Sequence, residues 1–144
     1  MAFVSPARHL LRAKDLADAR YAEPLRVDDM AHAAGLSRAH FIREFQRAFG
    51  ETPHAYLLTR RLERAAALLR GTDRSVASIC FDVGLESVGS FTSSFTRTYG
   101  VSPTAYRAKY PPAAEQALVP ACVVRFYARP QRRTFREDNG SPPA

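Results

Sequence analysis

Ala39, Arg43, Gln46 and Arg47 follow a serine, Ser37. At about 100° per residue they share the side of a helix opposite Phe41, Phe45 and Phe49. Guanidinium and carboxamide groups on such a face can make paired hydrogen bonds to base edges, arginine with guanine O6 and N7 and glutamine with adenine. Further along, Gly89, Ser93, Thr96 and Arg97 stand opposite Phe91, Phe95 and Tyr99. That second face offers hydroxyls and small side chains that can meet thymine methyls. Solvated surface is the ordinary meaning of such residues, but both faces are nearly free of acids. No paired acid, nucleophile with base, nucleotide loop or metal cluster can be assembled elsewhere, so an enzyme is not expected. His9, His32, His40 and His54 have no carboxylate or cysteine at ligand spacing, and Cys80 and Cys122 form no CxxC. Neither a zinc site nor a disulfide framework is readable, both thiols are expected to be reduced, and no cofactor is implied.

The chain that carries these residues has 144 positions, with 21 Lys and Arg against 14 Asp and Glu and a net charge of +7. Such an excess points to a polyanionic partner, and it is dominated by arginine, the only lysines being Lys14 and Lys109. No apolar run approaches the roughly 18 residues of a membrane span, so no membrane partner is expected. Arg8, Arg12, Lys14 and Asp15 interrupt what a secretory signal would need as its apolar core, and a cytoplasmic location is expected.

Two stretches of the chain repeat each other. Val27 to Tyr56 matches Val76 to Tyr106, with one extra residue at Glu86. Paired identities include Gly35 with Gly84, Leu36 with Leu85, Ser37 with Ser87, Phe41 with Phe91, Phe45 with Phe95, Gly50 with Gly100 and Tyr56 with Tyr106. Each copy reads as a short helix, a glycine turn and a longer helix opened by a serine cap, which is the grammar of a helix-turn-helix. Met30, Ala31 and Ala34 precede the first turn, and Ile79, Cys80 and Val83 precede the second. Cys80 thus stands where a small buried side chain is needed. Two copies are fewer than a solenoid requires, so two lobes joined by a helix are expected. Thr52-Pro53 and Ser102-Pro103 each set a hydroxyl cap before a proline at the first helical position.

The doubled unit resembles the DNA-binding domain of the AraC/XylS family of bacterial transcription regulators over residues 5–110. The second copy, Ser75 to Arg107, carries the likeness most fully through its glycines, its aromatics and its Ser-Pro-x-x-Tyr-Arg ending. The resemblance implies an all-α fold of seven helices, with helix-turn-helix units at about 26–50 and 75–100 and a linker helix at about 52–70. It implies double-stranded DNA and RNA polymerase as partners, with recognition helices entering successive major grooves about 34 Å apart. The family's base-reading positions fall on Ala39, Ile42 and Arg43, with Gln46 beside them, and on Val88, Gly89, Ser90, Thr92 and Ser93. Phosphate contacts are expected from the helix starts at Ser37 and Ser87 and from Arg38, Arg47, Thr96 and Arg97. For Arg60, Arg61 and Arg64, solvation of the linker helix or pairing with Glu63 is the favoured expectation over phosphate contact.

The second reading helix departs from well-equipped relatives in lacking Gln or Arg at those positions, so backbone positioning and methyl contacts are expected there more than base discrimination. A module retained for contact with polymerase or another regulator is the alternative function. After Tyr110 the composition changes, since six of the ten prolines lie in residues 111–144. This extension is expected to be irregular or to pack Leu118–Arg129 back on a lobe as one strand, in preference to pairing with a second chain through an open edge or bringing Arg125, Arg129, Arg132, Arg133 and Arg136 near phosphates. It is too short for an enclosed effector pocket, and a stand-alone regulator is the expectation.

Overall fold

The computed structural model describes residues 6–113. The expected strand within Leu118–Arg129 and most of the proline-rich extension lie outside them. Seven helices follow one another: α1 Arg8–Arg20, α2 Val27–Ala34, α3 Arg38–Phe49, α4 Pro53–Gly71, α5 Val76–Asp82, α6 Val88–Tyr99 and α7 Pro103–Ala108. Among the described residues no strand interrupts them. The all-α expectation with two helix-turn-helix units and a linking helix therefore holds.

Local chemistry sets the helix boundaries. Ser37, Thr52, Ser75, Ser87 and Ser102 each use the side-chain oxygen to accept from a backbone N–H inside the first turn, satisfying one of the donors that a helix start leaves open. Pro53 and Pro103 open α4 and α7 as their positions predict. At α2 the Asp29 carboxylate accepts from the Arg26 backbone N–H at 2.9 Å. The long helices α3 and α6 stop at Gly50 and Gly100, both left-handed, with φ of 79° and 80°.

Packing then divides the chain. Leu10, Ala13, Ala17, Met30, Ala31, Phe41, Phe45 and Leu57 form one core. Leu62, Ala65, Ala66, Leu69, Ile79, Cys80, Phe91 and Phe95 form the other. Helix α4 feeds both, its first half closing the lobe of α1 to α3 and its second half opening the lobe of α5 to α7. The aromatic stripes lie inward as their spacing requires, with Phe41, Phe45, Phe91 and Phe95 all but fully buried. Phe45 meets the edge of Tyr56 at 5.8 Å between centroids, and Phe95 meets Tyr106 the same way at 5.3 Å. Cys80 is a buried free thiol packed in the second core.

The duplication is thus visible in three dimensions, and its two turns differ in the surroundings of their glycines. Gly35 has φ +70° and open space around a notional Cβ, whereas Gly84 has φ +87° and a Cβ there would lie 2.9 Å from the Ala22 carbonyl oxygen. Gly35→Ala is expected to cost about 1–2 kcal/mol from the left-handed backbone alone. Gly84→Ala is expected to cost more, and urea unfolding of both variants checks the order. Burial raises the Tyr99 phenol from its ordinary 10.0 to about 12, and it raises Tyr56 and Tyr106 as well. The fold holds these phenols neutral, so their contribution is complete below pH 10.0 and is lost as pH rises from there towards the folded values. Unfolding curves at rising alkaline pH are expected to show that loss, and Tyr99→Phe is expected to lessen it.

Candidate nucleic-acid interface

With Phe41, Phe45, Phe91 and Phe95 holding the inner faces of α3 and α6, the outer faces are free. Ala39, Arg43 and Gln46 are exposed on α3, while Ile42 is half-buried. On α6, Val88, Gly89, Ser90 and Ser93 are exposed and Thr92 is half-buried. Ile42 and Thr92 occupy equivalent places beside the buried stripes, so each offers only part of its side chain outward. Among the described residues Arg43 and Arg97 have no acidic group within ion-pair distance.

The helix starts suit an anion. Neither α3 nor α6 has an acidic residue in its first turn, so the backbone N–H groups there are not answered by a carboxylate. Ser37 Oγ accepts from the His40 N–H and Ser87 Oγ from the Ser90 N–H, each at 3.3 Å. Each hydroxyl keeps its own proton to donate outward. Arg38 pairs with Asp28 at 3.0 Å and Arg47 with Glu44 at 3.4 Å, but both arginines are well exposed. Exposed pairs of this kind contribute about 0–1 kcal/mol, so exchanging a carboxylate for a phosphate costs little. The Thr96 hydroxyl donates to the Thr92 carbonyl at 2.7 Å, which turns its proton back into the helix and leaves only its lone pairs outward.

The linker arginines have internal partners. Arg60 bridges Glu63 at 2.7 Å and Asp18 of α1 at 3.1 Å, and Asp18 also accepts from the Tyr56 hydroxyl. The pairing with Glu63 agrees with the sequence expectation, and the link to Asp18 adds to it. Arg61 donates through Nε to the Tyr21 carbonyl and through Nη2 to the Glu23 carbonyl. In the second lobe, Arg107 of α7 donates in the same manner to the carbonyls of Leu69 in the last turn of α4 and of Thr72 and Arg74 beyond its end. Sequence reading missed both clamps. Backbone carbonyls as acceptors leave no side-chain signature, although Arg107 stands within the motif that ends the second copy.

His32, His40 and His54 are exposed, and among the described residues no group of three or more His, Cys, Asp or Glu side chains could hold a metal. No described helix is long and apolar enough to cross a membrane.

Comparison with known proteins agrees with this geometry. Residues 30–109, more than half of the chain, match the family described as a helix-turn-helix domain. A crystal structure of a regulator with an AraC-type DNA-binding domain from Chromobacterium violaceum is 33% identical, with a TM-score of 0.65, covering 78% of this chain and 95% of that one. The chain belongs to the AraC/XylS family. The DNA-binding domain of AdpA, a global transcriptional factor, solved in complex with a target DNA, is 31% identical with a TM-score of 0.67, and the match covers 82% of this chain and 99% of that one. The transcriptional regulator MtrA of Neisseria gonorrhoeae is 41% identical over 81 residues, 56% of this chain and 27% of its own length. The right origin-binding protein of Escherichia coli is 34% identical over 85 residues, 59% of this chain and 29% of its own length. The chain spans under a third of these two curated relatives. By their names, these relatives are a transcriptional regulator and an origin-binding protein.

Within this AraC/XylS domain the Arg107 clamp supports the second lobe. Arg107→Met is expected to lower stability by about 1–3 kcal/mol, the range for charged hydrogen bonds. Lys109→Met, at an exposed position, is expected to stay within about 0.5 kcal/mol. Thermal unfolding of the two variants makes the comparison.

Proposed function

We propose that the chain is a sequence-specific regulator of transcription that binds double-stranded DNA, with α3 and α6 in two successive major grooves. The observation that carries this reading is the doubled, outward-facing pair of recognition helices, whose relative AdpA was solved on its target DNA at 31% identity. Residues 5–110 form the DNA-binding unit in this reading, and residues 111–144 are an appendage to it. Cytoplasm is the compartment in which such a regulator meets DNA, and RNA polymerase is the machinery it acts on.

Arg43 and Gln46 take the base-reading part in the first groove, with Ala39 and Ile42 making apolar contacts. Val88, Gly89, Ser90, Thr92 and Ser93 bring methyl, hydroxyl and backbone contacts to the second. Ser37, Ser87, Arg38, Arg47 and Arg97 face phosphates, with Thr96 offering only acceptor lone pairs at that edge. Arg60 and Arg61 serve the fold instead, because the first is ion-paired with Asp18 and Glu63 and the second is hydrogen-bonded to backbone carbonyls.

Selection of bound duplexes from random DNA is expected to recover a two-part site. On that site Arg43→Ala is expected to cost about 1–3 kcal/mol and to relax preference at one base position, whereas Ser93→Ala costs little. Anisotropy titrations of both variants against single-base operator changes test this, and the opposite order refutes the assignment. Wild-type affinity is also expected to fall steeply between low and physiological salt through counterion release, and affinity indifferent to salt refutes DNA as the partner.

A further inference from the structure

A helix at the boundary between the lobes and a turn of the second lobe both reach one segment, Tyr21–Glu23, which follows α1. Arg61 lies on α4 between Leu57, which packs in the first core, and Leu62, which packs in the second. Its guanidinium donates to the Tyr21 carbonyl at 2.7 Å and to the Glu23 carbonyl at 3.0 Å. From the opposite lobe comes the turn of the second helix-turn-helix. A Cβ on Gly84 would stand 2.9 Å from the Ala22 carbonyl oxygen and 3.0 Å from that of Tyr21, so only a residue with no side chain lets this turn close on the first lobe. Its counterpart Gly35 faces open space. Glu86, the residue that interrupts the repeat, belongs to the same turn. Burial pushes the Arg61 guanidinium below its ordinary value, and the charge of Glu86 opposes that shift. The two copies therefore differ where they meet.

Resting on the reading of the chain as a two-part DNA binder, we infer that the Tyr21–Glu23 segment, gripped by Arg61 and abutted by Gly84, is a latch that fixes the angle between the lobes and thereby selects the spacing of the two half-sites. One extra base pair moves the second groove by about 3.4 Å and turns it by about 35°. Lobes tied at α4 alone could follow such a change by bending or twisting the helix. Lobes tied also at Tyr21–Glu23, off the α4 axis, cannot. Arg61 is thus a positioning residue, acting on recognition through the lobe angle without touching DNA.

The test titrates the full chain against duplexes carrying the selected site with its spacer lengthened or shortened by one base pair. Wild-type binding is expected to weaken about tenfold on either change, the cost of roughly one lost specific contact. Arg61→Met is expected to shrink that preference to about threefold or less while binding the first half-site alone within about twofold of wild type, as for an independent site. Ile79→Val, which loosens the second core without touching the segment, is expected to keep the preference. An unchanged spacing profile in Arg61→Met overturns the latch, as does a parallel loss of all affinities matching that of Ile79→Val. Should Arg61→Met fail to fold, Arg61→Lys, which keeps the charge and one donor's reach, carries the same test with a partial loss. A wild-type chain that binds no duplex in a salt-dependent way refutes the DNA reading, and the latch is then judged alone. For that, nitroxides are placed through Arg12→Cys on α1 and Thr104→Cys on α7 in a Cys122→Ser background. Arg61→Met broadens the distance distribution between them if the latch holds the lobes, and an unbroadened distribution overturns it.

Discussion

A helix can present one face to a groove only while its opposite face is held, and in this chain Phe45 and Phe95 do the holding. Each is fully buried. Each also stands at the centre of an aromatic group, packed against the preceding phenylalanine of its stripe and the tyrosine of the next helix. Replacing such a ring by alanine typically costs about 3–5 kcal/mol, a large part of the stability of a small domain. Tyr56 and Tyr106 pass the constraint on to α4 and α7, and α4 then belongs to both lobes at once. The outward faces are left to chemistry: guanidinium and carboxamide on α3, hydroxyl and methyl on α6.

Electrostatics completes the division between inside and outside. Arginines that lie against the body of the molecule are tied to acceptors, Arg60 to carboxylates and Arg61 and Arg107 to backbone carbonyls. Those on the recognition side are paired only at exposed positions, as with Arg38 and Arg47, or have no acidic group within ion-pair distance among the described residues, as with Arg43 and Arg97. Since an exposed ion pair contributes little and a phosphate can replace its carboxylate, the outer arginines remain available to a polyanion.

Much of this was legible beforehand because duplication makes a pattern state itself twice. The spacing of Phe41 and Phe45 against Phe91 and Phe95 gave the buried faces, the serines and prolines gave the helix starts, and Gly35 and Gly84 gave the turns. Cys80 was readable as a core residue from Ala31, its counterpart. The parts not legible depend on groups far apart in sequence with no type to betray them. Arg61 reaches carbonyls near the end of α1, and Gly84 approaches the backbone of Ala22. A glycine required by a left-handed turn and one required by a neighbouring chain look alike in sequence. The outward positions of Ala39, Arg43, Gln46, Ser90 and Ser93 followed from helical phase, whereas the half-burial of Ile42 and Thr92 depends on neighbouring side chains that phase alone does not place.

The central claim is that two equivalent helices grip one side of a duplex a helical turn apart. Hydroxyl-radical footprinting of the full chain on a selected duplex tests it most directly. The account requires two protected patches on one face of the DNA, their centres separated by about 10 base pairs. A single patch, or two patches on opposite faces, would contradict it.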